Sequence, residues 1–196
     1  MKRVAASDPA APARFWQTIQ ANGLVVYPTD TLYGFGVDGL HLPAIERLMA
    51  VKGRTGPFSV MVGGPGQLRE YALVSSQIND KLVQMLPGPY TIVLTPRKPE
   101  AFPEPVISPV GMVGFRVPRH PFIQAAFQQA RGLVISTSVN RSGQPPLQDP
   151  EAIIDSFGPD IDLLIDGGLL PGSRGSTVVN PAVQPWQIIR QGDGKL

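Results

Sequence analysis

The stretch that most constrains the fold runs from Leu24 to Arg54, LVVYPTDTLYGFGVDGLHLPAIERLMAVKGR. Leu24–Tyr27 is a short apolar, β-branched run and reads as a buried strand. It ends in Pro28-Thr29-Asp30-Thr31, which sets two hydroxyls and a carboxylate in the turn straight after the strand. Polar groups in a loop at a strand's end, held by a rigid scaffold, are a common way to build a binding site. A well-made turn explains the same residues equally well. Beyond a glycine-rich bend, Pro43 starts a helix with Ile45, Leu48 and Met49 inward, and Gly53 ends it within the cationic exit Lys52-Gly53-Arg54.

The bend Gly34-Phe35-Gly36-Val37-Asp38-Gly39 matches the string G-x-G-x-x-G. Its context is wrong for a dinucleotide site. A proline-threonine turn separates it from the strand, the helix starts later at Pro43, and no acidic residue follows about twenty positions on. The glycines therefore read as shape-setting turns. No G-x-x-x-x-G-K-[ST] loop is present either, so a nucleotide must be held some other way.

Along the rest of the chain helices and strands alternate. Asp8-Pro9 reads as a helix start and Gly23 as its far cap. Phe58–Val62 is strand-like; Ser75 or Ser76 opens a helix that Pro87-Gly88-Pro89 stops; Tyr90–Thr95 and Met112–Val117 are strand-like. A helix from Pro121 to Ala130, a strand Leu133–Ser138 and an Asp149-Pro150 helix closed by Gly158 follow. Leu163–Asp166, Ser176–Val179 and Trp186–Arg190 close the chain as short strands. The pattern predicts one α/β domain, 1–196, around a mixed, twisted sheet.

Composition narrows the function. Charged residues make up 16% of the chain, below the ~25% usual for globular domains, and the formal net charge is +2. That surplus is too small to argue for nucleic acid by itself, though a local basic cleft is compatible with it. With no cysteine there is no disulfide, thiolate nucleophile or Cys-based metal site. No apolar run approaches ~18 residues and no apolar segment follows Met1-Lys2-Arg3, so neither a membrane span nor a signal peptide is expected and the cytoplasm is the default location.

Several strings carry candidate chemistry. Lys52 and Arg54 either complement the negative helix end, worth roughly 0.3–1 kcal/mol, or aim two cations at phosphate. Ser136-Thr137-Ser138-Val139-Asn140 ends an apolar strand with three hydroxyls and an amide; alternation turns Ser136 and Ser138 to one face, with Asn140 after them. Pro171-Gly172-Ser173-Arg174-Gly175-Ser176-Thr177 is a glycine turn or a backbone anion nest. Arg116 lies within an apolar strand, where an unpaired charge is costly, so an anionic partner is expected. Arg190 ends another such strand beside Gly192. His41 and His120 have no triad or metal spacing and read as ordinary loop residues.

Taken in order, these strings resemble the YrdC-like family, the TsaC-type threonylcarbamoyl-AMP synthases. The resemblance runs from about Gly23 to Gly192. It rests on Tyr27-Pro28-Thr29-Asp30-Thr31-Leu32-Tyr33-Gly34, Lys52-Gly53-Arg54, Pro87-Gly88-Pro89-Tyr90-Thr91 and Arg116-Val117-Pro118. Ser138-Val139-Asn140 with Ser142-Gly143, Asp166-Gly167-Gly168, Ser176-Thr177-Val178 and Ile189-Arg190-Gln191-Gly192 complete it. It implies a YrdC-like domain whose twisted sheet, flanked by helices, encloses a large basic cavity. It implies a nucleotidyltransferase that condenses L-threonine, bicarbonate and ATP to threonylcarbamoyl-AMP and pyrophosphate. The product then passes to a tRNA threonylcarbamoyl transferase acting at adenosine 37.

By the same resemblance Thr31, Arg116, Ser138 and Ser176 hold L-threonine. Lys52, Arg54, Met112, Ser136, Asn140, Gln148 and Arg190 hold ATP, with Lys52 and Arg54 catalytic. Mg2+ accompanies the phosphates, and no dedicated metal site is expected. The family pattern breaks at Arg54-Thr55-Gly56-Pro57-Phe58-Ser59-Val60-Met61, where a histidine of the threonine side gives way near Met61. No counterpart of the extra C-terminal domain of longer members is expected. Two other readings stay open: a YciO-like or carbamoyl-AMP-forming paralogue with another substrate, and a double-stranded RNA-binding module using the basic cavity. With 7% aromatics and scattered arginines the chain offers RNA neither stacking surfaces nor a dense cationic face.

Overall fold

The computed structural model describes residues 1–196. Ten strands share one sheet: β1 (Lys2–Ala5), β2 (Val25–Tyr27), β3 (Gly34–Gly36), β4 (Ser59–Met61), β5 (Tyr90–Leu94), β6 (Val113–Arg116), β7 (Val134–Ser138), β8 (Leu163–Asp166), β9 (Thr177–Asn180) and β10 (Gln187–Arg190). Six α-helices join them: α1 (Ala11–Gln20), α2 (Leu42–Lys52), α3 (Pro65–Tyr71), α4 (Ser76–Met85), α5 (Pro121–Gln129) and α6 (Pro150–Phe157). The strand order is β1-β8-β2-β3-β7-β4-β6-β5-β9-β10. β1–β8, β8–β2, β4–β6 and β5–β9 are parallel and the other pairs antiparallel, so the sheet is mixed, as the alternation of elements predicts. No helix is long and apolar enough to cross a membrane.

β7 is the seam. Thr137 and Ser138 pair with Phe35 and Gly34 of β3, while Val134, Ile135 and Ser136 pair with Met61, Val60 and Ser59 of β4. Because side chains alternate along a strand, this register sorts the residues of the β4–β6–β5–β9 half by face. Val60, Phe115, Ile92, Ile135 and Val179 are fully buried on one face, in the larger hydrophobic cluster with helix residues such as Leu48, Leu82 and Ile153. Each contributes roughly 1.5–3 kcal/mol of burial before ordering entropy is set against it. Ser59, Thr91, Gly114, Arg116, Ser136 and Ser138 stand on the other face. A second cluster, built around Phe15, Tyr27, Met61, Phe122 and Val134, fills the α1–α5 side.

Local structure departs from the sequence reading at definite places. Asp8 accepts from the amide of Ala10 at 2.8 Å and its carbonyl from that of Ala11 at 2.9 Å, so it closes a turn and α1 begins only at Ala11. After α1 the left-handed residue is Asn22, with φ 62°, and not Gly23. Both histidines cap helices: Nδ1 of His41 accepts from Ala44 N at 3.3 Å and Nδ1 of His120 from Phe122 N at 3.2 Å. β1 and α3 were not foreseen.

The largest correction concerns Gly34–Gly36. They form β3, antiparallel to β2, not a turn. Glycine is required there for space. A β-carbon at Gly36 would stand 2.6 Å from Cε1 of Tyr27, and one at Gly34 would stand 3.2 Å from its Cζ. The fully buried Tyr27 ring lies across both glycines, with its hydroxyl donating to Ile135 O at 3.1 Å. Burial pushes that phenol up to about 12.

Candidate functional site

The polar face opens into a cavity of about 570 Å³, within the usual range for small-molecule sites. Register explains its floor. Ser59 pairs with Ser136, Arg116 with Thr91, Val93 with Gly114 and Gly34 with Ser138, so these side chains are brought to one surface. Gly114 keeps that floor open: a β-carbon there would meet Ser59 Oγ at 3.0 Å and Thr91 Cγ2 at 3.1 Å.

Four arginines, Arg54, Arg116, Arg174 and Arg190, line the cavity, and no aspartate or glutamate does. Arg116 is the buried one, 8% exposed. It donates from Nη1 to Ser136 Oγ at 3.2 Å and from Nη2 to Thr31 Oγ1 at 3.1 Å, while its Nε has no acceptor. The nearest carboxylate oxygen, Oδ1 of Asp30, is 3.7 Å from Nη2, and this oxygen accepts no hydrogen bond. Burial holds the guanidinium below its ordinary pKa, with the Asp30 charge opposing that shift. Such a group is poised for an anion from the cavity.

Arg190 donates from Nη2 to Ser176 O at 2.9 Å and Ser176 Oγ at 3.2 Å, and that hydroxyl shares a 2.7 Å hydrogen bond with Thr91 Oγ1. Its pKa is lowered by burial first and then by the charges of Arg116 and Arg54, so the cavity's cations repel one another. Arg54 donates to Pro57 O at 3.1 Å and lies 5.6 Å over the Phe58 ring.

The expected site residues divide into two groups. Thr31, Arg54, Met112, Arg116, Ser136, Ser138, Ser176 and Arg190 all line the cavity. Lys52, Asn140 and Gln148 do not. Lys52, 2% exposed, spends its ammonium on Ser138 O (2.6 Å), Asn140 Oδ1 (2.8 Å) and Asn140 O (3.2 Å). Asn140 Oδ1 also accepts from Ser138 Oγ at 2.6 Å, and its Nδ2 donates to Arg141 O and Gln144 O. Lys52 is therefore a tie beneath the Ser138–Asn140 turn, and Arg54 alone of that pair faces the cavity. Gln148 keeps a buried Oε1 without a donor.

The sequence reading missed Arg174, Ser59 and Thr91 as individual site residues. Register with Ser136 and Arg116 was the signal for the last two; for Arg174 it was the Ser-Arg-Gly-Ser loop read only for its backbone. Met61, near the family histidine, is fully buried in the second cluster, so Ser59 is the residue that β4 turns to the cavity. The lining offers no carboxylate to a metal ion, and no group of three or more His, Cys, Asp or Glu could hold one.

Fold and site together define a class: a mixed α/β protein whose sheet carries a cavity walled by arginines and hydroxyls. The Sua5_yciO_yrdC family model, described as telomere recombination, matches residues 17–192, and the chain belongs to that family. Threonylcarbamoyl-AMP synthase of Bos taurus is 34% identical over 184 residues, an alignment covering 89% of this chain and 65% of that protein. The crystal structure of P. abyssi Sua5 complexed with L-threonine superposes with a TM-score of 0.86 at 26% identity, covering 97% of this chain and 57% of that one. E. coli YciO matches in fold, with a TM-score of 0.86 at 24% identity over 99% of this chain and 95% of its own. The chain thus spans less than two thirds of the length of the first two relatives.

Proposed function

We propose that the cavity makes threonylcarbamoyl-AMP from L-threonine, bicarbonate and ATP, as a nucleotidyltransferase serving tRNA modification. The observation that carries the reading is the four-arginine, carboxylate-free lining alternating with hydroxyls, since N-carboxylated threonine and ATP, which must meet there, are both anions. The likeness to a Sua5 structure holding L-threonine supports it. The amine of threonine adds to bicarbonate with loss of water, giving a carbamate. A carbamate oxygen then attacks the α-phosphorus while the bond to the β-phosphate oxygen breaks and pyrophosphate leaves.

On this reading Arg116, with Thr31, Ser138 and Ser176 beside it, holds the carboxylate and hydroxyl of threonine. Arg54 and Arg190 offset phosphate charge as it builds on the leaving group. Ser136 and Met112 complete the nucleotide side, and holding the two anions in register supplies much of the remaining acceleration. Lys52 and Asn140 act by fixing Ser138. Mg2+ has no carboxylate cage here and arrives on the phosphates of ATP. The product is taken up by a separate tRNA threonylcarbamoyl transferase.

A second reading, adenylation of another carbamoyl or carboxylate substrate, draws on one observation: β4 presents Ser59 and buries Met61. Pyrophosphate release from ATP, measured with and without L-threonine and bicarbonate, separates the two. Release that requires both supports the synthase; release indifferent to threonine overturns it in favour of the second reading.

A further inference from the structure

Arg174 is the one cavity arginine that neither the strand register nor the family motifs pick out. It sits on the loop between β8 and β9. Unlike Arg116 and Arg190, its guanidinium makes no hydrogen bond or ion pair within the fold, yet it contributes to the cavity wall. What is ordered is its backbone. The Arg174 amide donates to Oδ1 of Asp193 at 3.1 Å, the Ser173 hydroxyl donates to Oδ2 of Asp193, and the Asp193 amide returns a bond to Gly175 O at 2.9 Å.

The tail around Asp193 is itself fixed. The Gly192 amide donates to Thr177 Oγ1 at 3.0 Å, and Thr177 Oγ1 donates to Gly194 O at 2.7 Å. A β-carbon at Gly192 would collide with the carbonyl oxygens of Gly175 and Ser176, and one at Gly194 with the Tyr90 ring. Gly192–Gly194 is therefore pressed onto Gly175–Thr177 with room for no side chain at either glycine. An exposed loop that carries a free cation is held to one path by a carboxylate outside the cavity.

We infer that Arg174 is a further polyphosphate-binding residue of this cavity, and that Asp193 is its positioning residue. The inference rests on the reading of the cavity as an ATP site and adds to Arg54 and Arg190 a third cationic contact for the phosphates. An arginine whose guanidinium has no partner in the fold, set in a wall without carboxylates, is open to a multiply charged anion, and its ordering is repaid when one enters. By tying the backbone at Ser173 and Arg174, Asp193 lowers the ordering cost that remains when the anion binds.

The test is calorimetric titration of the full chain with inorganic tripolyphosphate and, separately, with ATP. Wild type, Arg174→Ala, Asp193→Asn and the double variant are compared, each with its urea midpoint. Arg174→Ala is expected to bind both ligands about 10-fold more weakly with an unchanged midpoint, as loss of one charge-assisted contact implies. Asp193→Asn should weaken binding ~3-fold alone and add almost nothing in the Arg174→Ala background, the mark of two residues acting through one contact. Wild-type affinity in Arg174→Ala overturns the inference and leaves the ATP reading standing. An Asp193→Asn effect of equal size in both backgrounds overturns the positioning role. Failure of the wild type to bind either ligand overturns the ATP reading and this inference with it.

Discussion

Replacing Arg116 by methionine separates what the cavity needs from what the fold needs. The guanidinium is buried with two hydroxyl acceptors, an idle Nε and a carboxylate oxygen 3.7 Å away. Burial dominates its lowered pKa, so the surroundings disfavour the charge even with Asp30 opposing the shift. Methionine removes that desolvation cost and about matches the stem in volume. The substitution also leaves Asp30 without its cation, although Asp30 Oδ2 keeps the Arg119 amide at 3.0 Å. Buried ion pairs replaced by apolar residues are often neutral to stabilising by about 1–4 kcal/mol, whereas removing one partner alone is costly. Arg116→Met alone should therefore lose ~1–3 kcal/mol, less than a well-formed buried pair would, and Arg116→Met with Asp30→Asn should return to wild-type stability or exceed it. The proposed binding of an anion should go the other way. Two charge-assisted hydrogen bonds to a carboxylate are worth roughly 3–5 kcal/mol, so both variants should bind L-threonine at least about 100-fold more weakly. Urea unfolding with the slope checked for constancy gives the first quantity and calorimetry the second. A double variant about 2 kcal/mol less stable than wild type would show that Arg116 is a structural tie and sink the argument.

Gly36→Ala drives a methyl to within 2.6 Å of the Tyr27 ring and 3.0 Å of Val134 Cγ1. Displacing that ring and its bond to Ile135 O should cost about 2–4 kcal/mol in urea unfolding, while Gly53→Ala, which meets no atom, should cost only about 1. Lys52 is pushed down from 10.5 to about 8, by burial and then by Arg54. Between those pH values the unfolded chain binds more protons than the native one, so this group makes stability rise with pH, a rise that Lys52→Met should lack. A neutral amine keeps two N–H groups for three acceptors, so turnover should fall as pH passes about 8 even as the urea midpoint does not.

The parts of the fold legible in the sequence are those where one local rule acts alone. Asp149 before Pro150 and Ser75 before Ser76 cap α6 and α4 as the pattern predicts, and the apolar runs of β2, β5, β7 and β8 appear within a residue or two. The misses are places where a distant partner decides. Gly34–Gly36 looks like a turn until the Tyr27 ring, folded back across it, makes glycine the residue a strand needs. β1 is too short and too charged to declare itself, and is fixed by its register on β8 and by Arg3 bonding Asp166. The site divides in the same way. Alternation in VISTS foretells that Ser136 and Ser138 share a face. Nothing local distinguishes Arg54, which reaches the cavity, from Lys52 two residues earlier, whose ammonium is consumed by the backbone of Ser138 and Asn140.

The cavity can be so one-sided in charge because the strands that build it are two-sided in chemistry. Val60, Ile92, Phe115, Ile135 and Val179 supply burial on one face, so Ser59, Thr91, Gly114, Arg116 and Ser136 on the other need add little to stability. A carboxylate among the four arginines would relieve their mutual repulsion, and for that reason would compete with an anionic ligand. The fold instead sets its nearest counter-charge outside: Asp30 does not line the cavity but a separate groove with Arg119, and meets Arg116 from there at 3.7 Å. Arg116 thereby has its counter-charge outside the cavity and only the neutral hydroxyls of Thr31 and Ser136 within it. On the proposed reading, an anion entering the cavity would relieve the repulsion that Arg190 meets from Arg116 and Arg54, so affinity would depend on where the carboxylates are not.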